Sequence, residues 1–437
     1  MRKLYTLLTI FLGLNGLLSA QSFDPVLASR LQDKIDSMRV SNNIIGISAS
    51  VFFPGMGFWQ GASGNSSAGT ALSSDMLFGI ASNTKLFTGV LILKLAENNL
   101  LQLDDSIHRY LPAFTNVDSN ITIRQLLNHT SGLADVSSVQ GYPDSMLANP
   151  YRVFTPSELM TWAGPPLFSP GTDWNYCNTN YLLAGLIAES ATGQTFSQLL
   201  RDSILSPLQM DSTFLDVYET LLYEVAHPWQ AGTDNSSTPR ISINSAAWAA
   251  GGMYSNSAEM TKWYHALMSG QIINTSSLNQ MSTFVGSGNY GIGIGQSTVM
   301  GRSVWTHGGN IWGGYSSSMM YDPATGMVIC VLINQLPAPA FQVSVQLLST
   351  LLTIPSGFPE NTTIHHPIKL FPNPTSGAVE IEIPESTIML LKIYDSQGRL
   401  LLQTTEKRFS LENFSSGSYY LTAQTEQGVY RSKFHKQ

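Results

Sequence analysis

Ser82 and Lys85 stand three residues apart in the run Phe78-Gly79-Ile80-Ala81-Ser82-Asn83-Thr84-Lys85. Residues at this spacing share one face of a helix, so their side chains can meet. A serine hydroxyl is a weak nucleophile at its own pKa and needs a nearby base. A lysine enclosed by apolar residues loses proton affinity and can supply that base. The run continues as Leu86-Phe87-Thr88-Gly89-Val90-Leu91-Ile92-Leu93. It is apolar nearly all round, which predicts a buried helix with Ser82 at its first turn. The positive end of that helix favours the charge that develops on Ser82 as its proton leaves. The plainer alternative is an N-capping serine followed by a solvated lysine.

Two further segments carry groups of matching chemistry. Tyr176-Cys177-Asn178 offers a phenol and an amide. Tyr176 could serve as the base if nearby cations such as Lys85 withdrew its proton. Asn178 offers its amide to a substrate carbonyl, or else caps the helix that follows. His307-Gly308-Gly309-Asn310 offers an imidazole on a strand edge, a cation only when protonated and mostly neutral above pH ~6.5 if unperturbed, with glycines that let a substrate lie against the backbone. Trp174, Trp248, Trp312 and Tyr315 are aromatic residues near glycine turns that could wall a pocket or fill the core. His129, in Asn128-His129-Thr130-Ser131-Gly132-Leu133, reads as a structural residue tying down a helix end, with Gly132 as the left-handed C′ residue.

The elements that must position these groups follow from pattern. Ile44 to Phe53 and Phe58 to Gly61 flank a turn and predict a β-hairpin. Thr122 caps a helix over Ile121 to Leu127. Leu182, Leu183, Leu186 and Ile187 mark the buried face of a helix entered at Asn178. Tyr290 to Gly295 alternates like a strand, its glycines suited to close backbone approach. Tyr315 to Tyr321 and Met327 to Asn334 form a second hairpin. Strands therefore open and close the region while helices fill its middle. The fold class is α/β in the α+β sense: an antiparallel sheet flanked by helices, with a helical insert.

At 437 residues the chain has room for a second domain, and only 12% of it is charged, with a net charge of −7. No basic tract argues for nucleic acid, and no His/Cys/Asp cluster has metal-ligand spacing, so no cofactor is expected. The two cysteines, Cys177 and Cys330, make no disulfide framework. Arg2 and Lys3, the apolar run Leu4 to Leu18 and Ser19-Ala20 read as a secretory signal over residues 1–20. With that signal cleaved, no transmembrane segment is expected. The main globular region then spans residues 21–355, and residues 356–367 form a polar linker. Residues 368–437 contain short alternating runs that predict a small β-sandwich.

The three motifs in this order resemble the serine β-lactamase and D-alanyl-D-alanine carboxypeptidase superfamily, and most closely its class C β-lactamase-related branch. Ser82-Asn83-Thr84-Lys85 matches Ser-x-x-Lys, Tyr176-Cys177-Asn178 matches Tyr-x-Asn, and His307-Gly308-Gly309 stands where lactamases have Lys-Thr-Gly. The resemblance implies an acyl-enzyme on Ser82, with Lys85 and Tyr176 handling protons. It implies substrate contacts from Asn178, His307, Gly309 and Asn310, and an oxyanion hole from the backbone N–H groups of Ser82 and Asn310. Which of Lys85 and Tyr176 is the base stays open. The substrate is an ester, a D-amino acid peptide amide or a β-lactam. The alternative is a non-catalytic peptide- or peptidoglycan-binding protein of the same fold. The tail resembles a type IX secretion sorting domain through Leu370-Phe371-Pro372-Asn373-Pro374, Ile393-Tyr394-Asp395 with Gly398, and Gly417-Ser418-Tyr419-Tyr420. That implies the type IX machinery as a partner and export to the cell surface or medium.

Overall fold

The computed structural model describes residues 23–353 and 369–436, apart from 376, 383–387, 395–399 and 426–427. The expected signal, the linker, Asp395 and Gly398 lie outside the described residues. The chain divides into two compact units, Met1–Thr353 and Ile354–Gln437.

The first unit opens with helix α1 (Pro25–Ser41), whose first turn is capped by the Asp24 carboxylate accepting from Leu27 N–H at 2.7 Å. The expected hairpin follows as β1 (Gly46–Phe53) and β2 (Gly57–Ser67), with a short β3 (Thr70–Ala71). Four strands return late in the unit: β4 (Gly295–Val299), β5 (Arg302–Ile311), β6 (Tyr315–Asp322) and β7 (Met327–Ile333). They form one antiparallel sheet in the order β3-β2-β1-β7-β6-β5-β4. The early and late strands meet at the centre, where β1 pairs with β7.

Register decides which side chains face the site. Ser48, Leu332 and Ser317 lie opposite one another across β1, β7 and β6, so they share a face. On that face Ser48 Oγ meets Ser257 Oγ of helix α5 (Ser257–Met268) at 2.9 Å. Ser317 Oγ donates to Ile80 O at 2.7 Å and accepts from Asn83 at 2.8 Å, gripping the turn on both sides of Ser82. One residue along, Ala49, Val331 and Ser318 face the other way. Ser318 there meets Ser344 of helix α6 (Ala340–Leu352) at 3.0 Å. A one-residue slip of β6 would exchange these two faces and release the Ser82 turn.

The helical insert is built around α2 (Thr84–Glu97), whose buried residues run along every side from Thr84 to Leu93. It packs against α3 (Asn178–Thr192) and α4 (Ile241–Gly251). Phe87 stacks on Trp263 at 4.4 Å between centroids, a pair worth about 0.5–1.5 kcal/mol beyond its buried area. The helix expected over Ile121 to Leu127 is Ile123–Leu127, opened by a capping box between Thr122 and Gln125. Its left-handed C′ position falls on His129 (φ +64°), because Asn128 already closes the helix, while Gly132 turns left-handed three residues later. Tyr290 to Gly295 departs from the expected strand, since β4 begins only at Gly295. The glycines serve close approach as expected: a Cβ on Gly293 would lie 2.7 Å from Leu86 Cα, so this segment rests directly on α2.

The second unit has a three-stranded sheet (Lys369–Phe371, Ala378–Glu382 and Arg408–Ser410) and a four-stranded one (Leu400–Thr404, Ile388–Tyr394, Gly417–Thr425 and Gly428–Lys436). Side chains of both sheets, including Leu370, Val379, Ile393, Leu421 and Phe434, share one apolar cluster. This is the strand-rich tail that the alternating runs predict.

Candidate active site

Ser82 lies in a tight 3-10 turn, Ala81–Asn83, immediately before α2. Ala81 is held left-handed at φ +51°, a conformation that costs a non-glycine residue about 1–2 kcal/mol. The sheet and the helical insert enforce it together: Ile80 N–H donates to Met253 O at 3.0 Å, and Ser317 holds Ile80 O.

Lys85 is fully buried, and its Nζ has three neighbours. It lies 2.7 Å from Asn178 Oδ1, 2.7 Å from Ala250 O and 3.0 Å from Ser82 Oγ. Burial lowers its pKa from 10.5 to about 7, against a smaller upward pull from Asp135. The amide and peptide oxygens can only accept. A neutral amine donates its two hydrogens to them and turns its lone pair to Ser82.

Tyr176 places its ring centroid 5.0 Å from Lys85 Nζ. Tyr176 could serve as the base only if its phenol were acidified, and its surroundings act in the opposite direction. Burial pushes its pKa up, and a hydrogen bond with Ser82 only partly opposes this. A phenol of that kind donates a proton rather than removing one.

Asn178 does not cap α3 with its side chain; Cys177 occupies the cap position, without a side-chain bond. Asn178 lines the same cavity as Ser82, and both ends of its amide have partners within the site. Oδ1 accepts from Lys85, while Nδ2 donates to Asp135 Oδ2 at 2.9 Å and Ser137 Oγ at 3.2 Å.

His307 is enclosed as well. It sits within β5 rather than at its end, and it is buried. Nδ1 lies 2.6 Å from Gly308 O, which can only accept, so the proton is on Nδ1. Nε2 therefore accepts from Tyr290 Oη at 2.8 Å. Burial, with Lys85 adding to it, depresses the imidazole pKa to about 3. The ring is neutral, further from the charged form than an unperturbed imidazole, which is mostly neutral above pH ~6.5. Gly309 also has a packing role: a Cβ there would stand 2.5 Å from Ile80 O and 2.9 Å from Ala81 Cβ, so the glycine admits the Ser82 turn. Asn310, by contrast, is exposed and shares a cavity with Ser82.

That cavity holds about 180 Å³ and is walled by Tyr142, Met146, Leu182, Ile243, Ala246 and Trp312, among others. No charged side chain lines it. Of the four aromatic residues singled out in the sequence, Trp312 alone is in its wall. Trp248 and Tyr315 are core, and Trp174 covers Gly286 and Gly288.

His129 is buried, as expected of a structural residue, but it ties down more than a helix end. Its carbonyl accepts from Asn175 N–H at 3.0 Å, and its Nδ1 accepts from Cys177 N–H at 3.2 Å. These two bonds bracket Tyr176. Nδ1 also faces the Asn180 amide at 3.0 Å, so the ring proton sits on Nε2, which has no hydrogen-bond partner. Sequence reasoning missed Asp135 and the role of Tyr290. An acidic residue two places beyond the Gly132-Leu133 pair, in a chain poor in charge, was the signal for the first. No local signal marks the second.

An antiparallel sheet interrupted by a helical insert, with a serine–lysine turn beneath one strand, defines a serine β-lactamase type of architecture. A Beta-lactamase family model matches residues 31–349, and the chain belongs to that family of serine hydrolases. A model for the secretion system C-terminal sorting domain matches residues 369–437, which implies export by the type IX machinery to the cell surface or medium. Penicillin-binding protein 4 of Amycolatopsis lactamdurans is 31% identical over 217 residues, 48% of this chain and 55% of that protein. The chain thus spans about half of that relative's length. Among solved structures, a D-stereospecific amidohydrolase from Streptomyces sp. is 28% identical with a TM-score of 0.65, covering 73% of this chain and 97% of the other. The D-amino acid amidase from Ochrobactrum anthropi SV3, complexed with D-phenylalanine, is 25% identical with a TM-score of 0.66, covering 75% and 99%. Among the described residues no helix is long and apolar enough to cross a membrane.

Proposed function

We propose that this chain is an exported hydrolase that takes an acyl group onto Ser82 and releases it to water. Its preferred substrates are amides or esters of acyl groups with an apolar side chain, D-amino acid amides and peptides first among them. The observation that carries the reading is the Lys85 environment, with two acceptor-only partners and Ser82 Oγ as the third neighbour at 3.0 Å. Neutral Lys85 accepts the Ser82 proton as Oγ attacks the carbonyl carbon. The N–H groups of Ser82 and Asn310 receive the oxyanion. Tyr176 delivers a proton to the leaving amine or alkoxide and recovers it from Lys85. Water then attacks the ester on Ser82 by the reverse proton path.

Two features support the substrate class. A cavity of about 180 Å³, lined mostly by apolar residues with Ser82, Ser137, Asn178 and Asn310 among them, has room for a benzene-sized group, which a 150 Å³ apolar cavity already admits. The relatives named as D-stereospecific amidohydrolase and D-amino acid amidase make amides the first choice. A β-lactam brings a carboxylate, and neutral His307 has no charge to give it. Losing one charge-assisted hydrogen bond removes about 1.5–3 kcal/mol, roughly ten- to a hundredfold in affinity, so lactam turnover is weak.

The test is labelling with a fluorescent phosphonate, with the modified peptide identified by mass spectrometry. The reading requires a single adduct on Ser82 and none in a folded Ser82→Ala protein. An unlabelled wild-type protein that still binds peptidoglycan fragments would establish the non-catalytic alternative. A panel of D-phenylalanine amide, short-chain esters and nitrocefin ranks the substrates.

A further inference from the structure

Asp135 has no place in the serine–lysine–tyrosine chemistry, yet it uses both carboxylate oxygens beside it. Oδ1 accepts from Ser137 N–H at 2.9 Å and from Ser137 Oγ at 2.8 Å, capping the short turn Val136–Ser138. Oδ2 accepts from Asn178 N–H at 3.1 Å and from Asn178 Nδ2 at 2.9 Å. A carboxylate can only accept, so it fixes which end of the Asn178 amide faces it. Nδ2 points to Asp135 and Ser137, and Oδ1 is left pointing at Lys85 Nζ, 2.7 Å away.

We infer that Asp135 is a positioning residue that locks the Asn178 amide and thereby aims the Lys85 lone pair at Ser82. The inference rests on the acyl-transfer reading above. Were the Asn178 amide reversed, Nδ2 would face Lys85. The amine lone pair would then be drawn to that donor and away from Ser82. Ala250 O holds the second lysine hydrogen from another element, α4, so the orientation of Nζ depends on both anchors. The other titratable groups near Lys85 are Tyr176 and Cys177 in the loop before α3, Tyr181 on α3, His307 on β5 and His129. Asp135 is a carboxylate whose negative charge raises the proton affinity of Lys85.

Asp135→Asn tests this. Asparagine has one acceptor oxygen and cannot serve Ser137 and Asn178 together. Phosphonate labelling rates of the full chain are measured from pH 5 to 9 in both proteins. Acylation needs neutral Lys85, so the rate rises with pH through its pKa. The Asp135→Asn protein is expected to lose at least about tenfold at the plateau, the scale of a misplaced catalytic group. Its acid limb is expected to move to lower pH, because an anion beside Lys85 is gone. An acid limb unmoved and a plateau within twofold of wild type would overturn the inference. If Asp135→Asn does not fold, Asp135→Glu keeps the charge and displaces the carboxylate. It should lose plateau rate while the acid limb stays, and an unchanged plateau would overturn the inference equally. Absence of labelling in the wild type instead defeats the acyl-transfer reading itself, so the two failures are distinguishable.

Discussion

Lys85→Met separates the cost of burying an amine from its use. Burial lowers the lysine pKa from 10.5 to about 7, a penalty of roughly 4–5 kcal/mol at ~1.4 kcal/mol per pH unit. The sign follows from proton counting. Between about pH 7 and 10.5 the unfolded chain holds the Lys85 proton more tightly than the folded one, so wild-type stability from this group rises with pH. Below pH 7 both states are protonated and the full penalty is present. At pH 10 only about 1 kcal/mol of it remains. Methionine is similar in length and carries no charge, so it escapes this penalty at every pH. It leaves Asn178 Oδ1 and Ala250 O without their donor, at about 1–3 kcal/mol each and independently of pH. The stability of Lys85→Met relative to wild type should therefore fall by about 4 kcal/mol from pH 6 to pH 10, while activity is absent throughout. Urea unfolding followed by tryptophan fluorescence measures this in the intact chain, because all eight tryptophans lie before residue 354 and report the first unit alone. Parallel stability profiles for the two proteins would mean that Lys85 titrates as in the unfolded chain, and the argument for it as the base would fall.

Three further outcomes follow from the same contacts. His307→Lys should not create a lactamase: it puts an ammonium beside Tyr290 Oη and Lys85 in a buried slot. A loss of about 2–4 kcal/mol is expected, with nitrocefin turnover unimproved; a stable variant with raised nitrocefin turnover would refute the neutral-ring assignment. Gly309→Ala should fold but lose at least about tenfold in labelling rate, since its Cβ would displace Ile80 or Ala81 beside the nucleophile; full activity would show that the turn yields freely. Truncation after Thr353 should leave an active first unit, since each unit has its own apolar cluster. In a type IX host it should also remain in the cell envelope, and secretion of the truncated chain would remove the sorting role from the tail.

What was legible in the sequence was local. The Ser82–Lys85 spacing, the Thr122 cap and the two hairpins each depend on residues a few positions apart, where helix and strand periodicity acts directly. The burial of α2 was legible too, because a run apolar on all sides has no face to give to water. The errors concern groups whose state is set from far along the chain. The sequence shows a histidine between polar and glycine neighbours, and nothing near it reveals that the ring is buried. What keeps it neutral is burial, to which Lys85 adds; its Nε2 partner, Tyr290, comes from a segment that alternates like a strand but folds as a loop over α2. Asp135 and Asn178 are 43 positions apart, and nothing in either neighbourhood indicates that they meet. Nothing near Gly309 in sequence shows that its missing side chain makes room for Ile80 and Ala81, on a turn at the other end of the insert.

The site keeps several conformations and burials that cost stability. Ala81 is left-handed, Lys85 is buried, and His129 Nε2 has no partner. They persist because elements of different origin hold the same few atoms. Ile80 is fixed by Ser317 of the sheet and by Met253 of the insert; Tyr176 is bracketed by His129; Asn178 is held by Asp135 and Lys85 together. Relaxing one cost means breaking a contact that another element makes, so the strain cannot leak away locally. A turn held only by its own backbone would let Ala81 relax and carry Ser82 with it. The long insert between β3 and β4 places helices on the sheet face that Ser317 presents, and so lets sheet and insert close on the Ser82 turn from two sides.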